Sequence, residues 1–238
     1  MNIKAMILAA GRGERMRPLT DATPKPLLEV RGKPLMQWPM ERLAAGGFTE
    51  LVINTAWLGE QIEARFGSRH GASSISYSHE GRDFGGALET AGGIVRALPS
   101  LGEVFWVLAG DVFAPDFVFA RDAVDRFMAS GRLAHLWLVP NPVHNLKGDF
   151  GIGADGGALS DAEVKYTFST IALYRAALFA PPFCAVAPGN PDGERAALAP
   201  LLREAMKAGR VSAELYDGAW TDVGTPERLA QLNNPTNK

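Results

Sequence analysis

Four cations and two glycines crowd one short stretch of this 238-residue chain: Gly11, Arg12, Gly13, Arg15, Arg17 and Lys25. A glycine-rich turn directly behind an apolar strand exposes successive backbone N–H groups, and cationic side chains on the same loop turn it into an anion cradle. A polyphosphate is the natural guest. The glycines alone would make only a tight turn and the cations alone a solvated face, so the reading rests on their combination with the proline-stiffened Thr23-Pro24-Lys25-Pro26-Leu27. Prolines on both sides of Lys25 restrict the backbone and hold its ammonium in place, as a transferring phosphoryl group requires. Of two commoner nucleotide motifs, the dinucleotide fingerprint of an NAD-dependent dehydrogenase is disfavoured and the P-loop is absent. Met16 stands where a dinucleotide fingerprint needs its third glycine, Pro18 stops the helix that should follow, and no GxxxxGK[ST] occurs.

Two carboxylates could complete such a site. Asp111 follows the apolar run Val104–Ala109, at the end of a strand where open α/β sheets bind ligands. Asp222 lies between Trp220 and Gly224 in an apolar-flanked strand, where a carboxylate needs a cation. Two aspartates, with phosphate and water supplying the other oxygens, describe Mg²⁺ better than Zn²⁺. Taken singly, Asp111 also reads as a turn residue and Asp222 as a cap. His70, His79, His135 and His144 show no paired ligand spacing, and no Ser or Cys sits in a nucleophile turn. No covalent intermediate is expected.

These residues need elements to hold them. Ile3–Ala10 is a continuous apolar run ahead of the glycines, the pattern of a strand buried in a parallel sheet. Pro18, Pro24, Pro26 and Pro34 exclude a helix next, so an irregular loop should run from Gly11 to about Gly32. Leu35–Ala45 reads as a helix ending at Gly46 and Gly47, with Pro39 kinking it or moving its start. Strands over Glu50–Thr55, Ser74–Ser78, Val104–Ala109 and Leu133–Val139 alternate with helices over Gly59–Phe66, Leu88–Leu98 and Phe117–Ala129. The alternation predicts an α/β fold with a doubly wound, mostly parallel sheet. Beyond it come a Gly-rich stretch at 148–157, a strand over Val164–Tyr174, a helix over Glu194–Lys207, strands at Val211–Tyr216 and Trp220–Val223, and a helix capped by Thr225 with Pro226 at its first position. That half predicts a small mixed β addition. One domain over 1–232 is expected, with 233–238 a disordered tail.

Composition narrows the partners. Lys and Arg number 24 against 26 Asp and Glu, so the net charge of −2 provides no field for nucleic acid or an anionic membrane. No apolar run reaches about eighteen residues, and Met1–Ala10 meets Gly11 and Arg12 too soon for a signal peptide. The single Cys184 fits a reducing compartment, and a cytoplasmic protein is expected. The oligomeric state is left open.

The run Leu8-Ala9-Ala10-Gly11-x-Gly13-x-Arg15-Met16-x-Pro18-Leu19-Thr20, followed by Pro24-Lys25-Pro26-Leu27, resembles the signature of the sugar-1-phosphate nucleotidyltransferases. The likeness continues through Leu88-Glu89-Thr90-Ala91-Gly92-Gly93, Gly110-Asp111 and Trp220-x-Asp222-Val223-Gly224-Thr225. It implies a Rossmann-like nucleotidyltransferase fold and Mg²⁺-dependent transfer of a nucleotidyl group from an NTP to a sugar-1-phosphate. Ala10, Gly11, Gly13 and Gly92 would then belong to the nucleotide site. Arg15 and Lys25 would contact the triphosphate, Lys25 near the α-phosphate, and Asp111 and Asp222 would hold the metal. The likeness puts the base pocket at Ser78–Gly86, with Glu80 as its reader, since a carboxylate accepts from the N3–H of uracil or thymine or the N1–H of guanine. Asp149, in Lys147-Gly148-Asp149-Phe150, falls among the sugar contacts.

Larger members carry a Glu-Lys-Pro motif that Glu163-Val164-Lys165-Tyr166 does not match, so the lysine for the sugar phosphate is unassigned. Together with the run from Tyr166 to Ile171, these segments resemble the compact members that use UTP and N-acetylmuramate 1-phosphate in peptidoglycan recycling. The lactyl carboxylate of that sugar would demand a cation, for which Lys147 and Lys165 are the candidates. Residues to about 140 would serve the nucleotide and 141–232 the sugar. Guanylyl transfer to mannose 1-phosphate is the alternative. The rival of another class is a nucleotide-sensing subunit without turnover, against which the presence of both aspartates and Lys25 speaks.

Overall fold

The computed structural model describes residues 3–234. Strand β1 (Lys4–Leu8) opens into the long loop, which carries more order than proline content alone predicts: 3-10 turns at Glu14–Met16 and Lys25–Leu27, a single turn α1 (Leu19–Ala22) and a hairpin of β2 (Glu29–Val30) with β3 (Lys33–Pro34). There follow α2 (Gln37–Ala45), β4 (Glu50–Thr55), α3 (Gly59–Phe66), β5 (Arg69–His70), β6 (Ser73–His79), α4 (Glu80–Phe84), α5 (Glu89–Leu101), β7 (Val104–Ala109), β8 (Val112–Phe113), α6 (Arg121–Ser130) and β9 (Ala134–Val139). The second half supplies β10 (Gly151–Ile152), β11 (Ala158–Leu159), β12 (Thr167–Arg175), α7 (Leu198–Lys207), β13 (Val211–Leu215), β14 (Thr221–Asp222) and α8 (Pro226–Asn233).

Eight strands form one sheet in the order β13-β9-β12-β7-β1-β4-β6-β5. β1 pairs in parallel with β4 and β7, β4 with β6, and β9 with β13, whereas β12 is antiparallel to both neighbours. The sheet is therefore doubly wound and mostly parallel, and the later half is woven into it rather than attached beside it. Apolar residues must cover both faces, which explains the uninterrupted hydrophobic runs of β1, β4 and β7. Met6, Val52, Phe105 and Val107 face Ile94 and Val95 of α5 and Leu202 of α7; Ile7, Ile53 and Trp106 face Met40 and Leu43 of α2 and Phe127 of α6. No helix among the described residues is long and apolar enough to cross a membrane.

Several boundaries move for identifiable reasons. Helix α2 starts at Gln37, which puts Pro39 in the first turn, where its missing N–H costs no helical bond. Helix α6 starts at Arg121 because Phe117 and Phe119 instead pack edge-on against Trp137 and Trp106. Helix α7 starts at Leu198 rather than Glu194: Ala196 is held against α5, its carbonyl accepting from the N–H groups of Ala91 at 2.9 Å and Gly92 at 3.1 Å. The expected disorder from Asn233 is corrected at that residue, which ends α8 and whose side chain accepts from Arg31 N at 2.7 Å and donates to Glu29 O at 2.9 Å. Residues 235–238 lie outside the described ones.

Candidate active site

A cavity of about 670 Å³ opens at the C-terminal ends of β1, β4 and β7. Here the chain reverses its direction of winding, and parallel strands leave a crevice. Ala10, Gly11, Gly13, Lys25, Asp111, Glu80 and Asp149 all line it. Gly13 adopts φ +68°, and a Cβ there would stand 3.0 Å from Thr20 Cγ2 and 3.3 Å from Lys25 Cβ. Glycine is thus required for both its conformation and its packing. Gly11 instead borders open space, so its backbone can be approached closely. Met16, which displaces the third glycine of a dinucleotide fingerprint, is fully buried with Val30, Leu35, Phe113 and Val223 and anchors the loop to β8 and to the residues following β14.

The four cations divide. Arg12 donates to Thr20 O at 2.8 Å and Asp21 at 2.9 Å and lies 3.7 Å from the centre of the Trp57 ring; Arg17 donates to Asp21 at 2.8 Å. Arg12 first, then Arg17, holds the Asp21 carboxyl below its ordinary range. These two arginines shape the loop. Lys25 is mostly buried and forms an ion pair with Asp111, while the exposed Arg15 borders a side cleft with Gly13, Lys25 and Gly224.

Asp111 and Asp222 are brought together by the pairing of β8 with β14, in which Val112 faces Asp222 and Val223 N donates to Asp111 O at 2.9 Å. Arg228 of α8 forms an ion pair with Asp222 Oδ1, and His144 Nε2 stands 2.9 Å from the same oxygen. Among the described residues no cluster of three or more His, Cys, Asp or Glu could hold a metal. The two aspartates keep Asp111 Oδ1 and Asp222 Oδ2 without a hydrogen bond from a described residue. An all-oxygen pair with one uncommitted oxygen each fits a hard cation that draws its remaining ligands from phosphates and water.

Glu80, the expected reader of the base, is committed to the fold. It has no exposed surface; Oε1 accepts from Asn54 Nδ2 at 2.7 Å and Oε2 from Leu88 N at 2.8 Å, while Asn54 Oδ1 accepts from Ala9 N at 2.8 Å. It braces the ends of β1 and β4 against the 85–88 turn, and both of its carboxylate oxygens already accept hydrogen bonds from the protein. Burial pushes its carboxyl pKa up, and the donors from Leu88 and Asn54 draw it part of the way back. Glu80→Gln must turn an amide N–H toward one of two donors, at a cost of about 1–3 kcal/mol. Because folding raises this pKa, the carboxyl's contribution is complete below the unfolded value of about 4.3 and is lost as pH rises through the folded value. Thermal unfolding of both proteins should therefore show the wild-type advantage largest in acid and shrinking toward neutrality.

Gly92 has a packing role. It does not line the cavity; a Cβ there would stand 2.5 Å from Glu194 O, so this glycine admits the 194–196 segment. Asp149 lines the cavity, with Oδ2 accepting from Phe168 N at 2.8 Å. The two candidate lysines do not: Lys147 is exposed, and Lys165 donates to Ser160 O at 3.0 Å. The cation at this end is Arg203 on α7, which lines the cavity with Leu202 and was not singled out from the sequence. Asn54 was also missed, although an amide closing the apolar run of β4 was a visible signal.

The nucleotidyl transferase family model matches residues 4–158. An N-acetylmuramate alpha-1-phosphate uridylyltransferase from Neisseria meningitidis is 48% identical over 235 residues, 96% of each chain. One from Caulobacter vibrioides is 32% identical over 94% of this chain and 92% of its own. In fold, the chain superposes with a TM-score of 0.80 on a Bacillus anthracis protein described as a glucose-1-phosphate thymidylyltransferase, at 23% identity over 97% of this chain and 94% of the other. With its anion cradle and paired aspartates set at the sheet's crevice, this chain belongs to the nucleotidyl transferase family.

Proposed function

We propose that the protein transfers the uridylyl group of UTP to N-acetylmuramate 1-phosphate, releasing pyrophosphate, in the cytoplasm and in the service of peptidoglycan recycling. The observation that carries the substrates is the 48% identity across 96% of both chains to the Neisseria enzyme of that name. In the reaction a sugar-phosphate oxygen forms a bond to the α-phosphorus in line with the bond to pyrophosphate, which breaks. No general base is needed, since a phosphate monoester is already largely ionised at neutral pH. What the protein must do is hold two anions together and neutralise the charge that accumulates.

Gly11 and Gly13 offer backbone to the triphosphate, and Arg15 and Lys25 supply positive charge. Asp111 and Asp222 would hold Mg²⁺, which when bound supplies charge neutralisation to the phosphates. The Lys25 ammonium carries three N–H donors, so it can serve an α-phosphate oxygen and Asp111 together. Residues 141–232 supply the sugar end through Asp149 and Arg203.

A pyrophosphate-release screen crossing UTP, GTP, CTP and dTTP with a panel of sugar-1-phosphates tests the reading. UTP with N-acetylmuramate 1-phosphate should be the fastest pair; faster turnover of GTP with mannose 1-phosphate would overturn both substrates. EDTA should abolish product formation, and excess Mg²⁺ should restore it.

A further inference from the structure

The two oxygens of Asp222 have different surroundings. Oδ1 forms an ion pair with Arg228, and His144 Nε2 stands 2.9 Å from the same oxygen. Arg228 Nη1 also donates to the Asp222 carbonyl at 2.9 Å. A carboxylate offers about four lone-pair positions over its two oxygens, and these neighbours crowd one oxygen only. Oδ2 accepts no hydrogen bond from a described residue. It lies next to Gly224, where a Cβ would stand 3.3 Å from it, and Gly224 lines the side cleft with Gly13, Arg15 and Lys25. One oxygen is thus held by the protein, and the other is left beside a residue of the cleft that carries the triphosphate cations.

Arg228 is firmly mounted for this task. It lies in the first turn of α8, whose N-cap Thr225 Oγ1 accepts from Arg228 N at 3.4 Å. Leu229 and Leu232 of the same helix pack against the cluster of Met16, Val30 and Val223, and its last residue, Asn233, is bonded to Arg31 N and Glu29 O. The Arg228 side chain is only 15% exposed. A Cβ on Gly224 would stand 2.8 Å from Arg228 Nη2, so glycine keeps open the path by which the arginine reaches Asp222. Groups behind a metal ligand orient it and tune what it binds.

We propose that Arg228 sets the choice of metal: by holding Oδ1 it confines Asp222 to one available oxygen and so favours Mg²⁺ over Ca²⁺. This rests on the magnesium-assisted uridylyl transfer proposed above. Mg²⁺ demands near-octahedral oxygens and takes one or two carboxylates alongside phosphates and water, and a single oxygen from each carboxylate serves it. Ca²⁺ is larger, gathers about six to eight oxygens and can be gripped by both oxygens of a carboxylate. With Oδ1 occupied, that second grip is closed to Ca²⁺, while nothing that Mg²⁺ needs is lost. Arg228 acts through Asp222 and is therefore a positioning residue.

The test reads metal binding without turnover. Mn²⁺ held by the protein, followed by water-proton relaxation, is displaced with Mg²⁺ and with Ca²⁺ in the wild type, Arg228→Met, Arg228→Gln, Arg228→Lys and Asp222→Asn, with thermal unfolding to show each variant folded. Arg228→Met removes charge and donors together and should raise the affinity for Ca²⁺ relative to Mg²⁺ about tenfold. Arg228→Gln, shorter and uncharged, should move the ratio the same way. Arg228→Lys, whose ammonium has three N–H donors, should restore most of the wild-type ratio. The ratio isolates the proposed role, because losing a nearby positive charge strengthens both divalent ions alike and loosening α8 weakens both alike. A ratio within twofold of the wild type in folded Arg228→Met or Arg228→Gln, with Mn²⁺ binding weakened in Asp222→Asn, would overturn the inference alone. Mn²⁺ binding unchanged in Asp222→Asn would take Asp222 out of the metal site, and the inference with it.

Discussion

Asp111→Asn and Asp222→Asn should each lower kcat by at least about 10²–10³-fold, the range found when a single preorganised group stabilising transition-state charge is removed. Both substitutions keep side-chain volume and delete one negative charge, so lost turnover would report charge rather than packing. The fold should survive: Asp111 pairs with Lys25, and Asp222 with Arg228 and His144, at side chains about one quarter to one third exposed. With Lys25 and Arg228 only 12% and 15% exposed, these pairs are worth more than the about 0–1 kcal/mol of a surface pair, but asparagine keeps an oxygen that accepts from each cation. Asp222→Asn leaves Arg228 its bond to the Asp222 carbonyl at 2.9 Å, whereas Asp111→Asn also takes from Lys25 its charged partner, so the two variants are compared with each other. Steady-state kinetics across a Mg²⁺ titration, with thermal unfolding as control, decide the matter. Near-normal kcat for Asp111→Asn at saturating Mg²⁺ would remove it from the metal site.

The parts of this site that were legible in the sequence are those made by local chemistry. Glycine and proline act through their own backbone restrictions, so the cradle from Gly11 to Lys25 could be read directly. The parallel sheet was readable too, because two buried faces force continuous apolar runs. What tertiary contact decides was not. Four cations on one loop look alike until Asp21 takes Arg12 and Arg17. Glu80 looks like a free carboxylate until its burial between Asn54 and Leu88 is known, and that burial depends on Gly93, where a Cβ would stand 2.4 Å from Glu80 Oε1. Lys147 and Lys165 were nearer in sequence to Asp149 than Arg203 is, yet the packing of α7 over the sheet brings the arginine to the cavity. Nor does alternation of elements disclose strand order, so nothing placed β12 between β7 and β9.

Lys25→Ala should lower kcat by about 10²–10³-fold while changing the KM for sugar phosphate little. The α-phosphate is most crowded and most negative as the new bond forms, so a fixed ammonium there interacts more strongly with the transition state than with bound substrates. Its fixity is built in: Leu27 N donates to Pro24 O at 2.9 Å, Leu28 N to Lys25 O at 3.1 Å and Met36 N to Pro26 O at 3.0 Å, and the side chain is only 12% exposed. Lys25→Arg restores the charge on a longer, planar group and should recover part of the loss, which a purely structural role would not explain. Removing Lys25 also takes from Asp111 the cation paired with it. Mg²⁺ should therefore bind Lys25→Ala at least as tightly as it binds the wild type, even as turnover collapses. A sugar-phosphate KM raised tenfold with kcat unchanged would instead place the Lys25 ammonium on the acceptor, because a loss confined to KM is the mark of binding energy shared equally by ground and transition states.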